Sequence, residues 1–429
     1  MGMTISEKIL AKKSGQETVK PGDFVMCKLD LVMATDVTAP LAIKVFHRMG
    51  AEKPFDSGRI IFINDHFVPA KDIKSAELSQ EMRDFAKKHH LRYYYEVGRG
   101  GICHALMPEE GLILPGMILI GADSHTCTAG ALGAFATGVG STDLAAGMAL
   151  GETWFKVPES IKIVFHGKKP DYISGKDMIL TVIGELGVEG AMYMALEFSG
   201  DAVRSLPMAD RFSICNMAIE AGAKTGIIEP DEITLRYLGL ESASEVQSGS
   251  ERRKLPFLKS DNDARYARTL TFKVDRMEPL VAYPFLPSNV AKASNFKDIR
   301  LDQVFIGSCT NGWLDDLRTA AAILKGKRIH EGVRLIITPS TARTFKEAVA
   351  EGLISIFLEA GAAVTTPTCG PCLGGHMGVL AKGEVCLATT NRNFKGRMGD
   401  LESKVYLSGT AVAAASAITG RITDPRELI

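Results

Sequence analysis

The sequence predicts an α/β protein whose sheets are mainly parallel. Short apolar runs of strand length alternate along the chain with segments of helical periodicity, which is typical of α/β layers. Polar motifs directly follow several of these runs, and parallel sheets bind ligands there, beyond the carboxyl ends of the strands. A chain of 429 residues exceeds what one hydrophobic core usually supports, so we expect two to four domains.

The composition is that of a globular protein, with 46% hydrophobic and 23% charged residues. Lys plus Arg and Asp plus Glu each number 50, so no overall field attracts nucleic acid or membrane surfaces. The apolar runs are shorter than the roughly 20 residues of a membrane span, and the charged N-terminal residues do not fit a secretory signal. Eight cysteines are too few for a disulfide scaffold. We therefore expect a cytoplasmic protein.

The first third of the chain begins with Thr4 and Glu7, which fit a capping box that opens a helix. Apolar runs and helical spacing then predict buried strands at Arg59–Asn64 and Met117–Gly121 and an amphipathic helix at Leu78–His90. Gly130–Gly151 is rich in Gly and Ala, so we expect a helix there to pack closely against a strand.

Later segments predict a second and a third unit of the same kind. Lys162–Phe165 is the first strand of the second unit, and Phe212–Ala223 has helical composition. Glu241–Arg265 is charged and Ser-rich, which indicates a surface insertion or linker, and the Pro-punctuated run Glu278–Ser288 would connect to the third unit. Strands of that third unit are predicted at Val304–Ile306, Arg334–Thr338 and Glu384–Thr389.

Four polar motifs each follow a predicted strand directly. They are Asp65-His66, Asp123-Ser124-His125, Ser308-Cys309 and the segment Asn391–Arg397. One such placement would mean little, but four of them indicate several domains that face one shared cleft.

Three cysteines lie in two Gly-rich loops, with Cys309 in Gly307–Gly312 and Cys369 and Cys372 in Thr368–His376. Three thiolates can hold three irons of a [4Fe–4S] cluster, which normally takes four protein ligands. The fourth iron would then be free to act as a Lewis acid on a substrate oxygen. The Gly-rich loops also allow backbone N–H groups to approach an anionic cluster.

Other interpretations of these cysteines remain open at this point. A Cys-x-x-Cys pair alone occurs in zinc sites, in redox dithiols and by chance. A structural zinc could add Cys309 and either Cys386 or His376 to the Cys-x-x-Cys pair as further ligands, whereas a redox dithiol would leave the third cysteine without a role. The remaining cysteines are expected to be small buried core residues; they are Cys27, Cys103, Cys127, Cys215 and Cys386.

Three histidines lie in polar motifs: His66 beside Asp65, His125 at the end of Asp-Ser-His, and His104 in the segment from Gly101. A histidine that is oriented by a carboxylate can donate a proton near neutral pH. Each one taken alone could equally be a capping or core residue. Arg392 and Arg397 could form a surface pair, but guanidinium groups are also the preferred ligands for carboxylates.

Together these motifs resemble the aconitase superfamily, and within it the branch that isomerises isopropylmalate and homologous acids. The resemblance covers nearly the whole chain and rests on the segments Asn64–His66, Gly121–Thr126, Gly307–Gly312, Cys369–Gly375 and Asn391–Arg397. It implies three α/β/α domains around a shared cleft, which we place at residues 1–160, 161–287 and 288–429. In the superfamily a fourth, mobile domain closes over the site.

The resemblance also implies roles for individual residues. Cys309, Cys369 and Cys372 would be the ligands of the [4Fe–4S] cluster. His66, paired with Asp65, would protonate the departing hydroxyl. Residues that orient substrate and iron-bound water would be the pairs His104–Asp123 and His125–Glu220. Residues that bind substrate carboxylates or surround the cluster would be Ser124, Arg392, Arg397, Asn216 and Asn391.

The implied reaction is reversible dehydration of 2-isopropylmalate and rehydration to 3-isopropylmalate, a step of leucine biosynthesis. Aconitases carry a substrate-contacting Gln where Thr35 precedes Asp36 here, which counts against citrate. The stretch after Arg397 is too short for the mobile domain, so we expect a separate small subunit to supply that domain and its serine base. Alternatives are homoaconitase chemistry, dehydration of dimethylmalate, or a zinc-stabilised or RNA-binding protein without catalysis.

Overall fold

Three main sheets with helices packed against them organise residues 2–240, 246–248, 251–253 and 258–428, which the computed structural model of the chain describes. Within these ranges, no helix has both the length and the apolar character needed to cross a membrane. The sheets are parallel apart from two strands at the edge of the third. The predicted α/β class with mainly parallel sheets is therefore confirmed.

The first unit is built around a sheet of five parallel strands. Its helices are α1 (Ile5–Ser14), α2 (Ala39–Arg48), α3 (Ile73–Lys88), α4 (Cys103–Glu109) and α5 (Ser141–Leu150), and its strands are β1 (Phe24–Lys28), β2 (Leu31–Thr35), β3 (Ile60–Ile63), β4 (Tyr93–Tyr95), β5 (Ile118–Gly121), β6 (Phe135–Gly138) and β7 (Glu152–Lys156). The strand order is β4-β3-β2-β5-β6, while β1 and β7 form a separate antiparallel pair. A 3-10 helix at Ser124–Leu132 follows β5.

Local sequence signals account for most elements of this unit. The Thr4 hydroxyl accepts a hydrogen bond from the Glu7 N–H, and the Glu7 carboxylate accepts one from the Thr4 N–H at 2.6 Å, so the predicted capping box is confirmed. The predicted strands β3 and β5 are buried throughout. The helix predicted at Leu78–His90 begins earlier, because Asp72 accepts from the Ser75 N–H at 2.7 Å and caps α3.

The second unit contains a sheet of four parallel strands in the order β10-β9-β8-β13. Its helices are α6 (Gly175–Leu186), α7 (Asp201–Ser205), α8 (Met208–Asn216) and α9 (Glu232–Tyr237), and its strands are β8 (Ser160–His166), β9 (Ala195–Ser199), β10 (Thr225–Ile228), β11 (Val246–Ser248), β12 (Glu251–Arg253) and β13 (Arg268–Lys273). The helix predicted at Phe212–Ala223 comprises the end of α8 and a 3-10 turn at Met217–Ala221.

The insertion or linker predicted at Glu241–Arg265 lies partly outside the described residues. Within it, β11 pairs antiparallel with β12. The end of the segment packs on the N-terminal helix, because the Ser260 hydroxyl accepts from the Ile5 N–H at 2.8 Å and donates to Glu197 at 2.7 Å. Residues 258–265 are therefore not a free linker.

The third unit contains a seven-stranded sheet. Its helices are α10 (Ser308–Asn311), α11 (Leu314–Leu324), α12 (Ala342–Ala350), α13 (Leu353–Ala360) and α14 (Thr410–Thr419), and its strands are β14 (Leu280–Ala282), β15 (Val290–Lys292), β16 (Gln303–Ile306), β17 (Arg334–Ile337), β18 (Ala363–Val364), β19 (Val385–Ala388) and β20 (Lys404–Ser408). The order is β15-β14-β20-β19-β16-β17-β18. The run Glu278–Ser288, predicted as a connection, contains β14, which pairs antiparallel with β20.

The three units pack closely enough to share one core. The rings of Phe212 and Trp313 stack with centroids 4.5 Å apart, which joins the second and third units. A Cβ on Gly130 would lie 1.8 Å from the Gly226 carbonyl oxygen, so only glycine fits where the first unit meets the second. In α5, a Cβ on Gly147 would lie 2.7 Å from Ile120 of β5, which confirms the predicted close packing of helix on strand.

Candidate active site

The four polar motifs that follow strands in the sequence lie close together in the structure. The Cys369 N–H donates to the Asp65 carbonyl at 2.7 Å, and His66 Nε2 lies 3.7 Å from Asp123 Oδ2. Asn391 Nδ2 lies 3.4 Å from Cys309 Sγ. Because these motifs follow the carboxyl ends of strands in parallel sheets, they converge where α/β folds bind ligands.

His66 is surrounded by carboxylates. Its Nδ1 lies 2.6 Å from Asp65 Oδ1 and 3.8 Å from Asp36 Oδ1. Burial alone would lower the pKa of His66, but Asp65, Asp36 and Asp123 outweigh it and raise the pKa to about 10. The imidazole is therefore protonated at neutral pH, and 15% of its side chain is exposed. It can donate a proton to a bound molecule.

Asp36 positions the turn that carries His66, a role that sequence reasoning missed. This residue is buried at the end of β2. Its Oδ1 accepts from the N–H groups of Asp65 and His66 at 3.1 and 2.9 Å, and its Oδ2 accepts from that of Phe67 at 2.8 Å. Burial and the nearby Asp65 raise the pKa of Asp36. The only local signal was an acidic residue directly after an apolar run.

Asp123 connects two further histidines. His104 Nε2 lies 2.7 Å from Asp123 Oδ1, which also accepts from the His125 N–H at 2.8 Å. Burial alone would raise the pKa of Asp123, but His104 and His125 hold it well below its usual range. Asp123 therefore stays ionised and fixes the His104 ring in one orientation.

Glu220, Arg392 and Ser124 form the next layer of the site. His125 Nε2 lies 2.8 Å from Glu220 Oε1. Arg392 donates from Nε to Glu220 Oε1 at 2.8 Å, and its Nη1 lies 3.5 Å from the Ser124 hydroxyl. Glu220 is buried, whereas 21% of the Arg392 side chain is exposed. The guanidinium is thus held on one side and open to solvent on another.

Cys309 lies at the start of the third unit's first cysteine loop, in α10. Its sulfur accepts from Asn216 Nδ2 at 3.1 Å and from Asn391 Nδ2 at 3.4 Å. Asn391 Nδ2 also lies 3.2 Å from Asn216 Oδ1. Two side-chain amides, one from the second unit and one from the third, therefore donate to the same thiol. The family resemblance implies this placement of Asn216 and Asn391 around the cysteines.

A single hydroxyl contacts the sulfurs of both Cys309 and Cys372, which shows that these two thiols lie close together. Ser308 Oγ is 3.7 Å from Cys309 Sγ and 3.8 Å from Cys372 Sγ. Ser308 adopts φ +77°, a conformation that non-glycine residues rarely adopt and that concentrates at functional sites. Arg397 Nη2 lies 3.8 Å from Cys372 Sγ, so the second predicted arginine reaches the thiols as well.

Cys369 completes the group of three thiols. Its sulfur lies within 4.8 Å of ligand atoms of Asp65 and His66. Burial raises the pKa of the Cys369 thiol well above its usual value, and Asp65, Cys309 and Cys372 raise it further. Burial also raises the pKa of Cys309 to about 12, with Cys372 as the next cause. Three buried thiols gathered in this way form a site that a thiophilic cation would stabilise.

Among the described residues, neither alternative zinc ligand joins two of these thiols in a group whose ligand atoms all lie within 4.8 Å of one another. Cys386 pairs with Gln303 near the start of β19 and β16, whereas Cys309 follows the carboxyl end of β16. His376 Nε2 lies 3.1 Å from the His66 carbonyl oxygen and 3.4 Å from Thr368 Oγ1. Cys386 is a buried core residue, as predicted, and so are the four other cysteines outside the two loops.

Comparisons with known proteins agree with this geometry. The sequence matches the Aconitase family (aconitate hydratase) over residues 7–298 and 289–420. It is 58% identical over 430 residues to the 3-isopropylmalate dehydratase large subunit of Heliobacterium modesticaldum, and 56% identical over 428 residues to that of Thermodesulfovibrio yellowstonii. Each alignment covers 100% of both chains.

Among solved structures, the chain is similar to the crystal structure of Thermococcus kodakaraensis aconitase X (holo-form), with a TM-score of 0.48 and 13% identity over 93% of this chain and 94% of that one. The family assignment rests on the full-length sequence matches and not on this structural similarity. The chain belongs to the aconitase family.

Proposed function

We propose that this chain is the large subunit of a 3-isopropylmalate dehydratase, which isomerises 2-isopropylmalate to 3-isopropylmalate with a [4Fe–4S] cluster. The observation that carries the proposal is the meeting of three buried thiols with a protonated histidine and two arginines. Full-length relatives that are 58% and 56% identical carry this name, and such identity supports a shared substrate.

The donor set suits an iron–sulfur cluster. Cys309, Cys369 and Cys372 would hold it, and hydrogen bonds to cysteine sulfurs are a known means of tuning such clusters. Asn216 and Asn391 already donate to Cys309. Three thiols leave one iron without a protein ligand, and when bound the cluster supplies a Lewis acid for the substrate hydroxyl.

His66 is the proposed acid that protonates the departing hydroxyl. Its Nδ1 is engaged by Asp65, so the proton to be donated is on Nε2, the atom that lies 3.7 Å from Asp123. The surrounding carboxylates keep the imidazole charged at neutral pH. Proton delivery converts a poor leaving group into water, which general acid catalysis typically accelerates by about 10²- to 10⁴-fold.

Asp123 and Glu220 would keep His104 and His125 in fixed orientations. Each of these two histidines has one ring nitrogen within 2.8 Å of a carboxylate, which leaves the other nitrogen to orient substrate or water. Because the carboxylates hold the rings, this orientation needs no rearrangement when substrate binds.

Arg392, Arg397 and Ser124 would bind the substrate carboxylates. Glu220 holds the Nε of Arg392, which leaves the outer nitrogens for a carboxylate beside the Ser124 hydroxyl. Removal of the α-proton places negative charge on that carboxylate, and the two guanidinium groups would stabilise it. Arginine suits this role because its planar donors match carboxylate geometry.

A small subunit would complete the enzyme. The relatives are named large subunits, and a small subunit would close over the site and supply the serine that removes the α-proton. The side chains of His66, Asp123 and Arg392 are 15%, 19% and 21% exposed. Solvent therefore reaches these side chains, and a partner subunit would cover them.

Anaerobic reconstitution with iron and sulfide tests the cofactor. We expect about four irons and four sulfides per chain. Cys309→Ser should lose iron. The control Cys386→Ser should retain it, because Cys386 is a buried cysteine that pairs with Gln303 at the start of β16. Stoichiometric zinc without iron would contradict the proposal. Turnover is then measured after adding the small subunit from the same organism, with 2-isopropylmalate, homocitrate, dimethylmalate and citrate compared. Preference for any acid other than 2-isopropylmalate would overturn the substrate assignment.

A further inference from the structure

Lys176 is a buried cation behind the thiol site that none of the roles above uses. It lies in the first turn of α6 and is fully buried. The N-terminus of a helix carries partial positive charge, which makes the first turn an unfavourable place for lysine. Among the described residues it forms no ion pair with a carboxylate. A buried cation in such a position needs negative charge from elsewhere.

The contacts of Lys176 lead to the loop that carries Cys309 and to the segment before Asn391. Its Nζ donates to the carbonyl oxygens of Thr389 and Thr390 at 2.9 and 2.5 Å. Thr389 O also accepts from the Thr310 hydroxyl at 2.6 Å, and the Thr389 hydroxyl accepts from the Gly307 N–H at 2.9 Å. Lys176 therefore joins α6 to the loop that carries Cys309 and to the segment that leads into Asn391.

Two of the thiols and two carboxylates are the groups whose negative charge would favour the charged form of Lys176. Burial lowers the pKa of Lys176 to about 8, and the groups that oppose this effect are first Cys372 and Cys309, then Asp316 and Asp177. Neither carboxylate bonds to Lys176. Asp316 accepts from Asn311 and Thr410, and Asp177 accepts from the N–H groups of Ser174 and Leu280. Ionised sulfurs would be the stronger partners.

We propose that Lys176 is a positioning residue that holds the Cys309 loop and the segment before Asn391 beside the thiols and places a fixed positive charge behind the cluster. This inference rests on the proposed function, because it requires Cys309 and Cys372 to be ionised as cluster ligands. A positive charge near a reducible centre favours the reduced, more negative state. Lys176 should therefore raise the midpoint potential of the cluster and strengthen its retention.

The test compares the midpoint potential of the reconstituted full chain in three variants. Lys176→Met and Lys176→Gln remove the charge, Gln retains a hydrogen-bond donor, and Lys176→Arg keeps the charge. We expect both neutral variants to shift the equilibrium for one-electron reduction by about tenfold toward the oxidised form, which lowers the potential by about 59 mV. Lys176→Arg should stay near the wild-type value. Lys168→Met, at an exposed position of the same unit, is the matched control for net charge.

Each outcome decides between distinct explanations. Wild-type chain without four irons and sulfides would overturn the proposed function, and this inference with it. Intact clusters with wild-type potentials in both neutral variants would overturn the role of Lys176 alone, and a lower thermal midpoint in those variants would then assign it to folding. Folded neutral variants that retain no iron, beside a loaded Lys176→Arg, would support the proposal. Neutral variants that do not fold as apoprotein would overturn it, because the polypeptide alone would then require the lysine.

Discussion

The replacement Asp36→Asn tests whether the turn that carries His66 is held by one buried carboxylate. Asp36 accepts hydrogen bonds from three successive backbone N–H groups, those of Asp65, His66 and Phe67, at 2.8–3.1 Å. Two of them share Oδ1 and the third binds Oδ2. An asparagine in either amide orientation presents an NH₂ group to at least one of these donors, so at least one buried N–H loses its partner.

The magnitude follows from those contacts. A hydrogen bond to a charged group contributes roughly 1.5–3 kcal/mol, and an unpaired buried donor costs about 1–3 kcal/mol. The repulsion between Asp36 and Asp65, which raises the pKa of Asp36, is relieved by the same change and offsets part of the loss. We therefore expect the turn to be destabilised by about 2–4 kcal/mol, which corresponds to amide exchange that is about 30- to 10³-fold faster.

The measurement is hydrogen–deuterium exchange of the peptide that spans residues 60–70 in the apoprotein. A local readout is preferable because a chain with several packed units need not unfold in two states. Asp72→Asn is the matched control, since Asp72 caps α3 in the same unit and Asn is as good an N-cap as Asp. If the amides of Asp65, His66 and Phe67 exchange as slowly in the Asp36→Asn protein as in the wild type, the reasoning is refuted. Displacement of His66 should also lower kcat/KM by about 10²-fold.

Three further replacements test other parts of the site. His66→Gln should lower kcat by about 10²- to 10⁴-fold with unchanged iron content, and a wild-type kcat would exclude His66 as the acid. Arg392→Lys should raise KM for 2-isopropylmalate by about tenfold or more, because lysine cannot bond Glu220 and a carboxylate together; an unchanged KM would contradict the assignment. Gly374→Ala should reduce iron retention, because Gly374 has φ +67° and a Cβ there would lie 2.8 Å from the Met398 carbonyl carbon. Its control is Gly383→Ala, at φ +79° with no atom within 4 Å of the added Cβ, which should retain iron.

Features that depend on neighbouring residues were predictable from the sequence. The capping box of Thr4 and Glu7 and the buried strands β3 and β5 follow from patterns a few residues long. The position of the polar motifs at strand ends could likewise be predicted from neighbouring residues. Because parallel strands have their carboxyl ends at the same edge of a sheet, that local observation predicted a shared cleft, whereas the pairs of side chains were expected only from the family resemblance.

Features that depend on distant partners were not predictable in this way. β14 lies in a Pro-punctuated run that resembles a connection, and its strand character comes from pairing with β20 at the other end of the unit. Lys176 contacts carbonyl groups 213 and 214 residues further along the chain. In both cases the sequence nearby carries no sign of the partner, so neither pattern nor spacing could reveal the contact.

The charges of the site are divided between the units that meet there. The carboxylates Asp65, Asp123 and Glu220 come from the first and second units, whereas Arg392 and all three thiols come from the third. Arg392 and Glu220 pair only when the units dock, and a charge buried without its partner costs several kcal/mol. Docking therefore pairs the charges in the same step that brings the thiols to His66.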